Sequence, residues 1–186
     1  MIVISIACIT AALFLEGFAL SCHKNRSLEK RDGGTALYMA VLCTATTVAV
    51  IIAALFAGNL LRRITAGFAP FLGLVAALVP CFLVLSVALK DEYLKKDGRT
   101  NLFAVIKFYG PVIFAAFMCA LSLGIYGVSG GGAALAAGCL SGVVLGLLIN
   151  PDTGERLERT ARFLAALGYF VAGVTLIVEN TISTWQ

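Results

Sequence analysis

Glu16 is an acid set inside an apolar run, with Cys8 to Leu15 before it and Gly17 to Ser21 after it. A charged side chain at such a depth costs at least about 2.5–3.5 kcal/mol on membrane-insertion scales. It therefore faces a bundle interior or a wet cavity, where a carboxylate can ligate a cation or carry a proton. The plainer role is packing, as a protonated glutamate hydrogen-bonded to the next helix. Neutral oxygen and sulfur ligands recur on other apolar runs. Cys43 and Thr47 are four apart and share a helical face, with Thr46 beside them; Cys119 and Ser122 share another face, and Cys139 and Ser141 lie further on. Thiolates suit soft or borderline metals, whereas carboxylate and hydroxyl oxygens suit manganese or magnesium. Singly, each is an ordinary small residue of a membrane helix contact. Opposite Glu16 they form a candidate cation-ligand set: Glu16, Cys119, Ser122, Cys43 and Thr47.

Other residues point to structure instead. Gly138, Gly142 and Gly146 recur every fourth position, the spacing at which two helix backbones approach closely. Pro80 and Pro111 fall inside apolar runs and should bend them. His23 follows Cys22 beside Lys24 and Arg26, which reads as a solvated interfacial loop. Glu179, at the outer end of the last run, is expected to face water. The six cysteines have no Cys-x-x-Cys spacing and sit almost entirely in apolar segments, where cysteine acts as a small hydrophobe. No glycine-rich phosphate loop with its lysine, no His-Glu-x-x-His and no Gly-x-Ser-x-Gly elbow is present, so no enzyme activity is expected.

These residues need elements that can live in lipid. Of 186 residues 60% are hydrophobic and 13% charged, with mean hydropathy +0.98. Soluble domains run at about 45–50% apolar and about 25% charged, so the chain reads as an integral membrane protein with the lipid bilayer as its first partner. Continuous apolar runs at roughly 2–21, 35–58, 66–89, 102–127, 132–149 and 163–178 predict six spanning helices. Apart from Arg62 and Arg63, every Lys and Arg falls in the first, third and fifth connections or just beyond them. The positive-inside rule then makes that side cytoplasmic and puts both termini outside an inner (plasma) membrane. The net charge of +4 reflects this placement; no basic patch interleaved with aromatics suggests nucleic acid.

The two halves resemble each other. Phe14-Leu15-Glu16-Gly17-Phe18-Ala19-Leu20-Ser21 matches Phe117-Met118-Cys119-Ala120-Leu121-Ser122-Leu123-Gly124, and Gly33-Gly34-Thr35-Ala36-Leu37 matches Gly130-Gly131-Gly132-Ala133-Ala134-Leu135. Phe71-Leu72-Gly73-Leu74-Val75-Ala76 matches Phe163-Leu164-Ala165-Ala166-Leu167-Gly168 in the same order. Three spans per half is odd, so the second copy lies upside down. The expected fold is all-α, six transmembrane helices in two inverted three-helix repeats, residues 1–93 and 94–186.

Glu16-Gly17-Phe18-Ala19-Leu20-Ser21 resembles the Asp-Ala-Phe-Ala-x-Ser motif of the MntP-type manganese efflux pumps in the LysE transporter superfamily. Ala36-Leu37, Gly58-x-Leu60 and the closing Gly173 to Glu179 segment fit the same pattern. The resemblance implies export of a small cation by alternating access. The family's fourth-helix aspartate falls on Cys119 and its second-helix acid near Thr47, which leaves Glu16 as the one fixed negative charge and turns attention to softer metals or proton-coupled solutes. The chain also resembles the six-span subunits of Rnf and Nqr redox pumps. There Cys22 and Cys119 would be counterparts of cysteines that hold half a [2Fe–2S] cluster, completed by a partner subunit. A third expectation is an assembly subunit of a larger membrane complex, with the glycine-spaced fifth helix as its partner surface; a homo-oligomer is equally compatible with the sequence.

Overall fold

The computed structural model describes residues 2–27, 33–65, 67–89, 102–128, 130–149 and 151–184. They form six helices: α1 (Ile2–Ser27), α2 (Gly33–Ile64), α3 (Ala69–Leu89), α4 (Leu102–Ile125), α5 (Gly131–Leu148) and α6 (Pro151–Thr184). Four carry segments long and apolar enough to cross a membrane: Val3–Asn25, Leu37–Ile64, Lys107–Ile125 and Gly131–Leu148. In α3 the described apolar stretch is Phe71–Phe82.

The helix ends follow from local chemistry. After α4, Gly127 adopts φ 77°, the left-handed conformation that glycine enters without steric cost. The Val128 amide then bonds to the Leu123 carbonyl at 2.8 Å and the Gly127 amide to the Gly124 carbonyl at 3.0 Å, closing a Schellman end. A Cβ at Gly127 would also meet the guanidinium of Arg62 at the end of α2. At the other end of α5, Ile149 turns extended and Pro151 opens α6, where its missing amide hydrogen costs nothing. The helices α3 and α4 run on through Pro80 and Pro111.

Several helices are longer than the apolar runs that announce them. The first continues to Ser27, so Cys22, Lys24 and Asn25 lie on α1 and are buried, not in a solvated loop. Arg156, Arg159 and Arg162, expected in the fifth connection, belong to α6, which starts at Pro151; Arg162 is buried. Both corrections share one cause. Polar side chains paired with one another let a helix continue past its apolar stretch, and hydropathy does not see that pairing. Lys30, Arg31, Lys90, Lys95, Lys96 and Arg99 lie outside the described residues, as does the Glu179 side chain.

Packing is set by close backbone approach. Along α1, Thr10, Phe14 and Phe18 present carbonyl oxygens to Gly138, Gly142 and Gly146 of α5, in parallel register. A Cβ at Gly142 would fall on the Phe14 carbonyl. Gly58 of α2 meets the Leu121 carbonyl and Gly124 of α4 in the same way. On α6, Gly168 rests against Ala12 and the Cys8 carbonyl of α1. The main partners of α1 are thus α5 and α6, and those of α4 are α2 and α3.

Polarity is distributed inside out. Phe56, Phe71, Phe82, Phe103 and Phe163 are exposed, while Ser5, Glu16, Ser21, Lys24, Asn25, Thr47, Ser122, Glu158 and Arg162 are buried. Water-soluble proteins do not cover themselves with such apolar area; a bundle in lipid does. Gly142→Val should therefore destabilise the bundle by about 1–3 kcal/mol, the range for overpacking. Gly67→Ala, a site with nothing within 4 Å of the added carbon, should stay within about 0.5 kcal/mol of wild type. Unfolding of the two variants in detergent, side by side, checks both values.

Candidate functional site

Glycine places Glu16. Its neighbour Gly17 has no side chain to hold α5 away, and a Cβ there would sit 3.3 Å from the Cys139 carbonyl and from Val143. Gly168 does the same for α6, one residue before Tyr169. Glu16 is thereby enclosed by α1, α5 and α6 at 4% exposure, and the Tyr169 hydroxyl donates a hydrogen bond of 2.7 Å to Glu16 Oε2. Tyr169 is itself fully buried. In a low-dielectric interior a carboxyl without a donor would carry its full desolvation penalty, and this bond offsets part of it. The remaining carboxyl lone pairs can accept a proton or a cation.

Cys119 packs in the same core as Leu13, Ala165 and Tyr169, within electrostatic reach of Glu16. Cys139 is within reach as well. Its thiol donates to Thr47 Oγ1 at 3.8 Å, and Cys43 packs in the same buried cluster. The Thr47 hydroxyl also donates to the Cys43 carbonyl at 2.8 Å, the usual back-bond of a threonine within a helix. The structure therefore puts Cys119 and Cys139 within electrostatic reach of Glu16, with Thr47 and Cys43 beside Cys139. Ser122 is placed differently. Its hydroxyl donates to the Gly73 carbonyl at 2.9 Å and braces α4 against α3. Ser141 is exposed and bonds back to the Ala137 carbonyl. All six cysteines are free thiols. Cys22 lies six residues beyond Glu16 along α1, about 9 Å of helix axis, near Tyr109 instead of Cys119.

Two features escape a reading of the sequence. One is Tyr169. A phenol deep in an apolar run needs a polar partner, and pairing the tyrosine of the sixth run with the acid of the first was the available signal. The other is a charged cluster where α1 and α6 meet near the end of α5. His23 Nδ1 lies 3.3 Å from Glu158 Oε1, and Arg162 also pairs with Glu158. His23 stacks on Phe108, and Lys24 Nζ stands 5.1 Å over the same ring. Asn25 donates to the Ile149 carbonyl at 2.9 Å, and Ser21 bonds the Tyr109 hydroxyl at 2.9 Å. The Arg162 charge acts on Glu16 from this side.

The α1–α6 contact is thus a ladder of polar pairs in antiparallel register: Ser5 with Thr175 at 2.8 Å, Glu16 with Tyr169, and His23 with Glu158. From Ser5 to His23 the axis covers about 27 Å, close to the roughly 30 Å hydrocarbon core of a bilayer. Glu16 falls between the two ends. Among the described residues no group of three or more His, Cys, Asp and Glu gathers to hold a metal ion. A cation at Glu16 would accordingly draw on hydroxyl and backbone oxygens, with at most one thiol beside the carboxylate.

Comparisons with protein-family models, with curated proteins and with solved structures find no match.

Removing the phenol oxygen should leave Glu16 without its donor. Tyr169→Phe should lower stability by about 1–3 kcal/mol, the penalty for orphaning a buried acceptor. In the Glu16→Leu background the same change should cost much less. A double-mutant cycle by thermal unfolding measures the difference, and equal costs in the two backgrounds would show that the hydrogen bond does not stabilise the fold.

Proposed function

We propose that this chain is a six-span transporter of the inner membrane, built from two inverted repeats, which exports a small cation by alternating access with Glu16 at its centre. The observation that carries the proposal is the buried Glu16 carboxyl, held by Tyr169 between α1, α5 and α6, inside the span between polar pairs about a bilayer core apart. A residue so costly in lipid is retained where it binds or moves charge.

The helix pairing supports the repeat. Exchange α1, α2 and α3 with α4, α5 and α6, and the α1–α5 contact becomes α4–α2, while α1–α6 becomes α4–α3. The α2–α5, α3–α6 and α1–α4 contacts map onto themselves. The close α1–α5 approach is parallel, as spans of odd number must be, and the α1–α6 ladder is antiparallel. A pseudo-twofold arrangement of this kind is the usual frame for rocking one repeat on the other around a midplane site. The glycine-lined α1–α5 contact offers such motion a surface without interlocking side chains.

Orientation follows from charge. His23, Lys24, Arg159 and Arg162 collect at one end of the bundle, the end that the positive-inside rule assigns to the cytoplasm, which leaves both termini outside. In the transport cycle Glu16 would exchange a proton for the cation, so that the site returns across the membrane without a bare charge. The resemblance to the MntP-type exporters of the LysE superfamily agrees with this scheme; with Cys119 and Thr47 at the other two acidic positions, a single carboxyl serves the cargo.

The test is elemental. Cells producing the wild type or Glu16→Gln are challenged with Mn, Zn, Cd, Cu, Ni and Fe, and their metal content is measured. One metal should be depleted several-fold by the wild type and retained by the variant, with equal amounts of both proteins in the membrane. Identical contents for every metal would overturn metal export.

A further inference from the structure

We infer that Cys43 and Cys139 form a two-thiol site for a soft monovalent cation, copper(I) or silver(I), shared between the two halves of the bundle. The inference rests on the transport reading for its role, though not for the binding itself. Cys43 lies on α2 and Cys139 on α5, each 1% exposed and packed in the same cluster with Met39, Tyr109 and Val143. Thr47 closes one side, with its hydroxyl 3.8 Å from the Cys139 sulfur and its own proton committed to the Cys43 carbonyl. The Thr47 oxygen therefore faces the thiols with lone pairs, not with a hydrogen.

Two thiols are too few for zinc, whose protein sites take four ligands, or three and a water. They suit an ion that soft sulfur ligands select and that needs few of them, and among biological metals that is copper(I). Binding replaces two S–H bonds with two S–metal bonds, no electron moves, and both protons leave: M⁺ + 2 RSH → (RS)₂M⁻ + 2 H⁺. Because the ligands come from opposite halves, a bound ion would tie α2 to α5 and make occupancy sensitive to how the halves sit on each other. Cysteine as a small hydrophobe explains either residue alone, but not two buried cysteines from different halves gathered in one cluster around Thr47.

Purified full-length protein in detergent, without oxygen and with a non-thiol reductant, is titrated with copper(I) against a coloured copper(I) chelator. The wild type should hold one ion against the chelator and release about two protons per ion. Cys43→Ser and Cys139→Ser should each weaken binding by more than about 100-fold, the upper figure for removing a mere outer-shell partner of a metal site. Cys8→Ser with Cys81→Ser should change nothing. X-ray absorption of the copper-loaded wild type should show two sulfur neighbours, a readout that needs no variant to fold. An ion lost to the chelator, oxygen or nitrogen neighbours, or affinity unmoved by Cys43→Ser and Cys139→Ser would overturn the site. Copper(I) bound as expected in a protein that alters no metal content in cells would sink the transport reading and leave this site standing. Export of another metal that depends on Glu16, with no copper(I) held, would do the reverse.

Discussion

A carboxyl group inside an apolar bundle cannot be left alone, and the arrangement of three helices follows from that constraint. The Glu16 carboxyl is 4% exposed, and the Tyr169 hydroxyl meets it across the α1–α6 contact. For that bond to form, α6 must come close to α1, which Gly168 allows, and α5 must come close on the other side, which Gly17 allows. A larger residue at either glycine would push a helix away and leave the acid facing lipid or a void. The glycine series of α5 extends the close approach over about two turns, so at the contact that encloses Glu16 the helices α1 and α5 meet backbone to backbone.

From this centre polarity is organised in levels. Ser5 and Thr175 pair toward one end of α1, and His23, Glu158 and Arg162 pair toward the other. Buried ion pairs are poor sources of net stability, because the desolvation cost rivals the attraction. Their place at the bundle end that gathers Lys24 and Arg162 fits a boundary between membrane and water, where one side of each charge can be hydrated or lie over an aromatic ring such as Phe108. Between the ends Cys119 and Cys139 lie within electrostatic reach of the Glu16 carboxyl, and Thr47 and Cys43 lie beyond them beside Cys139. The proposed alternating access would need such an interior, dry enough to make each ligand count and polar enough to receive an ion.

The existence of six helices was legible in the sequence because lipid demands continuous apolar runs, and Glu16 was legible because it breaks one. Boundaries were less so. The runs ended at Leu20-Ser21 and began again at Phe163, yet α1 continues to Ser27 and α6 begins at Pro151. The polar residues in those extensions pair with one another across space, as His23 does with Glu158, and no one-dimensional hydropathy profile contains that pairing. The same holds for Tyr169, whose role depends on register between α1 and α6, and for the shared cluster of Cys43 and Cys139, nearly a hundred positions apart. The spacing of Cys43 with Thr47 marked a shared face correctly. Ser122, chosen on the same grounds beside Cys119, instead spends its proton on the Gly73 carbonyl.

Whether Glu16 carries cargo or merely packs is decided most directly in proteoliposomes. Purified protein is reconstituted at known density, a proton gradient is imposed, and flux of the metal named by the cellular assay is followed for wild type and Glu16→Gln. A transporter centred on this carboxyl should give gradient-driven flux in the wild type and none above protein-free vesicles in the variant, with both proteins equally folded. Equal flux from the two proteins would show that the buried acid holds helices together and does not move an ion.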